Sequence, residues 1–206
     1  MKRLIPLLLL VTACATFAVP QSGRRINTTR TTTPAAPVQP PVNPEPEIPQ
    51  PKPGASVLTY LPEKLLERKI RAVEGSSFRL GDFHGKVLVI NLWASWCGPC
   101  RREIPEYENV RKEYAGREVE FIGLTTEDPG EASEKVDQFV RQTRFGFRLG
   151  WADREMAQTL MNGRRSIPQT VVIDTGGGVV DHWVGYAPGR SAQHLREAIK
   201  SALPGH

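Results

Sequence analysis

The sequence predicts an α/β domain with a central mixed sheet flanked by helices, and three observations carry that prediction. From residue 87 onward, strand-like apolar runs alternate with helix-compatible segments, the order that builds parallel strands joined by helical crossovers. The apolar run 87–92 leads straight into Trp93-Ala94-Ser95-Trp96-Cys97-Gly98-Pro99-Cys100, which places two cysteines at the start of a polar helical segment. Two glycine-punctuated pairs of short β-rich runs, one near each end of the region, read as hairpins and add antiparallel strands.

At the chain start, Met1-Lys2-Arg3 is positive and residues 4–11 are apolar, a run far shorter than the roughly 18 residues of a membrane span. Residues 1–14 therefore read as an export signal. Val11-Thr12-Ala13-Cys14 fits a bacterial lipoprotein cleavage box, which makes Cys14 the lipidated first residue of the mature protein and ties it to a membrane. Ordinary cleavage after Ala13-Cys14-Ala15 or after Ala18 is the alternative and releases a soluble protein. Both outcomes put the domain outside the cytoplasm, in a periplasm-like space where disulfides persist.

Residues 15–54 hold ten prolines, a Thr-rich patch at 28–33 and almost no large apolar side chains. They cannot bury enough surface to offset ordering entropy, so they read as a disordered tether. Such a tether reaches at most about 120 Å in polyproline II form and about 35 Å r.m.s. as a coil. Its Pro-x-x-Pro matches follow from composition, with peptide-ligand use as the alternative.

Residues 55–206 suit one domain with its own core. Residues 69–73 and 77–80, separated by Glu74-Gly75-Ser76, form the first expected hairpin, and Phe83-His84-Gly85-Lys86 turns the chain into the central strand 87–92. A helix over 97–114 and a strand over 119–125 follow. Asp128-Pro129-Gly130 opens a helix over 131–141. A strand over 145–149 and a helix over 154–161, stopped near Asn162-Gly163, precede a second hairpin, 170–174 with 179–185, joined by Gly176-Gly177-Gly178. Ser191 is the expected cap of a last helix that reaches about residue 202. Met156, Leu160 and Met161 read as packing residues of this short helix.

Cys97 and Cys100 stand three apart on a first helical turn, with side chains about 5–6 Å apart, inside the Cα range of roughly 4.4–6.8 Å that a disulfide tolerates. At the helix start Cys97 faces unpaired N–H groups and the positive dipole end, which stabilises its thiolate. Cys97 is thus the expected nucleophile and Cys100 the resolving thiol. A zinc site would need further ligands at suitable spacing. The only other cysteine is Cys14, and His84, His182, His194 and His206 include no closely spaced pair. Zinc and a plain structural disulfide remain the alternatives to redox chemistry, and no metal site is expected.

Trp96-Cys97-Gly98-Pro99-Cys100 resembles the active-site motif of thioredoxins, with Pro105 where they carry a helix-kinking proline. Ile167-Pro168-Gln169-Thr170 is similar to their loop with a cis-proline facing the cysteines. The longer stretch from Asn91 to Pro105 resembles a narrower group, the membrane-tethered TlpA/ResA-like thiol-disulfide oxidoreductases. The likeness spans roughly residues 68–202 and implies a thioredoxin-like fold with an added strand and helix.

Where thioredoxins carry a buried aspartate six residues before the first cysteine, this chain has Asn91. An amide takes no proton, so Cys100 needs another base. Glu103 lies one helical turn beyond Cys100, and the resemblance implies a functional glutamate there; a solvated helix carboxylate is the alternative. If cis, Pro168 leaves the Ile167 backbone facing the cysteines, where an extended substrate strand can pair, with a trans turn proline as the alternative. Trp96 and Ile167 are the expected substrate contacts, and Trp93 and Trp96 the expected shielding groups.

Residues 1–54 carry six Lys/Arg against two Glu, a net +4, while residues 55–206 carry 21 Lys/Arg against 20 Asp/Glu, a net +1. The basic balance belongs to the signal and tether, and nothing marks the folded part as a nucleic-acid binder. Arg101-Arg102 and Arg164-Arg165 read as solvated charge, or as docking points for an acidic partner.

The resemblance implies a reductase that needs no cofactor, acts on disulfides of exported proteins such as apocytochrome c, and is re-reduced by a membrane electron donor. Gly98-Pro99 leans the same way. An oxidase or isomerase on the same fold, and a copper or metal carrier using both thiols as soft ligands, are the rival readings.

Overall fold

The computed structural model describes residues 58–205. The signal, Cys14 and the tether lie outside the described residues. The elements are α1 (Glu63–Leu66), β1 (Ile70–Arg71), β2 (Ser77–Phe78), a 3-10 turn (Leu80–Phe83), β3 (Val87–Trp93), α2 (Gly98–Glu113), β4 (Val119–Thr125), α3 (Pro129–Thr143), β5 (Arg148–Trp151), α4 (Arg154–Leu160), β6 (Gln169–Ile173), β7 (Val179–Val184) and α5 (Arg190–Ala202).

The main sheet runs β5-β4-β3-β6-β7. The β3/β4 and β4/β5 pairs are parallel and the β3/β6 and β6/β7 pairs antiparallel, so the expected mixed sheet is present. It is a thioredoxin-like α/β fold. β1 and β2 form the separate N-terminal hairpin, which touches the sheet edge through an Ala72–Gly150 bridge.

β3 is buried along its whole length because both faces of the sheet are covered. Alternation then sorts its side chains. Val87, Val89 and Trp93 enter the core beneath α2, α3 and α5, while Leu88, Ile90 and Leu92 enter the core shared with α1, the hairpin and α4. Asn91 shares parity with the first set and therefore points toward α2. In β6, Val172 and its neighbours Val171 and Ile173 divide between the two cores in the same way.

The fifth strand begins later than the sequence suggests, at Arg148 rather than 145. Phe145 and Phe147 both bury their rings in one aromatic cluster: Phe145 meets Trp93 edge-on at 5.2 Å, and Phe147 meets Phe121 at 5.2 Å. The intervening Gly146 N–H donates to Glu108 Oε1 at 2.7 Å instead of joining the ladder, and Arg144 ends α3 in a left-handed conformation at φ 52°. Helix α3 starts at Pro129, two residues early, because Asp128 itself caps it by accepting from the Gly130 N–H at 2.7 Å. Ser191 is not the cap of α5. Gly189 holds that position, and Ser191 Oγ accepts from the Ala187 N–H at 2.9 Å, tying down the preceding loop. The short α1 and the 3-10 turn carry too little periodicity to have been read from sequence.

Candidate active site

Cys97 is the N-cap of α2, with Pro99 in the first turn, where its missing N–H costs nothing. The Cys100 N–H donates to Cys97 Sγ at 3.2 Å, so the sulfur occupies the place where a capping side chain accepts from the helix. Cys97 and Cys100 form a disulfide across a Cα separation of 5.3 Å. Both are buried, while Trp96 beside them is 72% exposed. Trp93 and Trp96 thus have different surroundings. Trp93 stacks on Phe139 at 4.9 Å over a space kept open by Gly123, where a Cβ would lie 2.8 Å from Leu149 and 3.2 Å from Trp93 Nε1.

The loop entering the cysteines is clamped from a distance. Glu127 accepts from the Ser95 N–H at 2.6 Å and from Ser95 Oγ at 2.7 Å, and Thr125 Oγ1 donates to the same carboxylate at 3.1 Å. Sequence reasoning did not find Glu127, since no local motif ties it to Ser95. Across the site, the Ile167–Pro168 bond is cis and Pro168 is buried. Gln169 braces this loop: its Nε2 donates to Ser166 O at 2.6 Å and its Oε1 lies 2.8 Å from His182 Nε2. Burial and the Arg164 charge pull His182 down to about 4 against the opposing effect of Asp181, so the ring is neutral at pH 7 and its Nε2–H donates to Gln169.

Glu103 is fully buried in the first turns of α2, not solvated. Asn91 Nδ2, on the α2-facing side of β3, donates to Glu103 Oε2 at 2.9 Å and also reaches Thr170 Oγ1 at 3.2 Å. Thr170 Oγ1 donates in turn to the Tyr107 hydroxyl at 3.4 Å, which also accepts from Trp183 Nε1 at 3.2 Å. Burial pushes the Glu103 carboxyl from 4.5 up to about 8; the Asn91 and Tyr107 hydrogen bonds oppose the rise and the nearby Glu106 adds to it. Asn91 Oδ1 and Glu103 Oε1 are both buried acceptors without a donor among the described residues. A proton on the carboxyl converts one of them into a donor, so the neutral acid suits this pocket.

Of the arginines, Arg101 lies 4.6 Å over the Phe139 ring and donates to Gln142 Oε1 at 2.7 Å, so it is held against α3. Glu106, on the exposed side of α2, accepts from the Tyr186 hydroxyl at 2.5 Å and from the Gly189 N–H, fixing the loop between β7 and α5. Among the described residues no group of three His, Cys, Asp or Glu is placed to hold a metal ion. No helix among them is long and apolar enough to cross a membrane.

This geometry suits thiol-disulfide exchange: a sulfur at a helix N-terminus, a second sulfur bonded to it from within the same turn, and a carboxyl with a raised pKa buried in the same helix. The chain matches the Redoxin family over residues 62–199. It is 28% identical over 138 residues to the thiol-disulfide oxidoreductase ResA of Halalkalibacterium halodurans, covering 67% of this chain and 76% of that protein. The ResA of Bacillus anthracis is 31% identical over 132 residues, covering 64% and 72%. A solved structure of a thiol:disulfide interchange protein of the thioredoxin family from Chlorobium tepidum aligns with a TM-score of 0.57 at 27% identity, covering 66% of this chain and 92% of that one. The chain therefore belongs to the Redoxin family and is a thiol-disulfide oxidoreductase of the ResA type.

Proposed function

We propose that this oxidoreductase works outside the cytoplasm, held to a membrane through lipid on Cys14, and reduces disulfides of exported proteins such as apocytochrome c. The observation that carries the chemistry is the buried Glu103 in the same helix as the cysteine pair. In the reduced enzyme, Cys97 thiolate attacks one sulfur of the client disulfide. The client S–S bond breaks, one client sulfur leaves as a thiolate, and the other is joined to Cys97. Cys100 then gives its proton to the Glu103 carboxylate and attacks Cys97 Sγ, releasing the second client thiolate and forming the Cys97–Cys100 disulfide. Two electrons have passed to the client.

A Glu103 pKa near 8 in the disulfide form means that the proton taken from Cys100 stays on the carboxyl at pH 7. When a membrane donor reduces the pair again, the same proton returns to the Cys100 sulfur. Ile167 and the exposed Trp96 flank the cysteines as client contacts, with Pro168 shaping the backbone between them.

Trapping tests the reading. Cys100→Ala should accumulate mixed disulfides with clients in the exporting cell, and Cys97→Ala should not. Capture by Cys97→Ala alone would reverse the nucleophile assignment, and capture by neither would defeat the reductase reading. Glu103→Gln should slow resolution about 10- to 100-fold.

A further inference from the structure

The carboxyl ends of β3, β4 and β5 share one edge of the sheet because the three strands are parallel. The cysteines follow β3 at that edge. Because β6 runs antiparallel to β3, the Ile167–Pro168 segment that leads into it lies at the same edge. An open cleft of about 720 Å³ is lined by the loops that follow β4, β5 and α4, together with Lys69 and Arg71 at the N-terminal hairpin. Its wall is joined to the active site, since Glu127 in the cleft holds Ser95, two residues before Cys97.

The charge of this cleft departs from that of the domain. Lys69, Arg71, Arg154, Arg164 and Arg165 line it, and none of the five makes an ion pair or side-chain hydrogen bond among the described residues. Three acids line it as well, so the lining carries a net +2, and their oxygens are engaged within the fold. Glu127 serves Ser95 and Thr125, Asp128 caps α3, and Asp153 caps α4 through the Met156 N–H while binding Arg68 at 2.8 Å. A domain region with a net charge of only +1 thus gathers five unpaired cations in one cleft, whose Glu127 holds the loop before Cys97. Buried Trp151, Ala157 and Met161 give the cleft an apolar floor.

We propose that this cleft docks an acidic segment of the client polypeptide, next to the disulfide to be reduced. The proposal rests on the reductase reading above. Unpaired cations in a concave site steer an acidic chain and hold it with charge-assisted hydrogen bonds, while the apolar floor accepts an intervening side chain.

The test measures second-order reduction rates of the prereduced full chain with three disulfides. Two are synthetic peptide disulfides with the same cysteine core, flanked by four Glu or by four Lys; the third is the small neutral 2-hydroxyethyl disulfide. The wild type should reduce the Glu peptide about 10-fold faster than the Lys peptide at low salt, with the preference collapsing at about 0.5 M salt. Arg154→Glu with Arg165→Glu should abolish or invert the preference and leave the 2-hydroxyethyl disulfide rate within about 2-fold. Arg154 lies in the first turn of α4, where a glutamate is compatible with the helix dipole, and Arg165 is exposed. No preference in the wild type, a preference for the Lys peptide, or an equal slowing of all three disulfides in the variant would each overturn the docking assignment. Failure of the wild type to reduce even 2-hydroxyethyl disulfide would instead overturn the reductase reading on which it rests.

Discussion

Glu103→Gln removes a carboxyl that the fold holds at a pKa of about 8 instead of 4.5, and the consequence for stability has a definite sign. Between those two pH values the folded chain keeps a proton that the unfolded chain has released. Folding is thus favoured below about pH 4.5, and that advantage is lost as pH rises through about 8. At about 1.4 kcal/mol per pH unit, the ionised carboxylate costs the folded state roughly 5 kcal/mol by pH 9. Gln is nearly isosteric, keeps an acceptor for Asn91 Nδ2, and offers a donor to a pocket where Asn91 Oδ1 lacks one. Denaturant unfolding of the oxidised wild type and variant, compared at each pH from 4 to 9, isolates the contribution. The wild type should lose stability relative to the variant progressively across that window. A difference that stays flat with pH, or that moves in favour of the wild type as pH rises, would refute the assignment of a neutral buried acid.

Three further outcomes are expected. Glu127→Ala should cost about 2 kcal/mol in unfolding experiments, since it removes the acceptor of three hydrogen bonds that hold the loop before Cys97, and an unchanged Tm would show that the clamp is not needed. Gly150→Ala should destabilise by roughly 1–3 kcal/mol, because its Cβ would stand 2.6 Å from Ile70 Cγ2 and 3.0 Å from the Phe78 ring; a neutral result would mean the hairpin shifts freely against β5. Cys14→Ser should move the protein from the membrane to the soluble fraction, with the lipid mass on intact wild-type protein as the direct check.

The sequence by itself determined the parts of this protein that depend on neighbouring residues. Cys-Gly-Pro-Cys at a strand-to-helix junction specifies a sulfur N-cap because Pro99 fits a first turn and the cysteine side chains meet within it. The run 87–92 specifies a central strand because both its parities are apolar, and Asp128-Pro129 specifies a helix start, with only the boundary displaced. The tertiary structure alone decided where charge is buried and where it is left free. One helical turn of spacing put Glu103 near Cys100, but its raised pKa comes from burial as α2 packs over β3 and β6, a rise that the Asn91 amide, reaching it from 12 residues away in sequence, only partly opposes. Glu127 meets Ser95 across 32 residues, and Phe145 and Phe147 displace the start of β5 because their rings find an aromatic cluster built by β3, β4 and α3. Capping and alternation act between adjacent residues and so can be read along the chain. Desolvation and ion pairing depend on which distant groups arrive together, and that is fixed only when the layers close over the sheet.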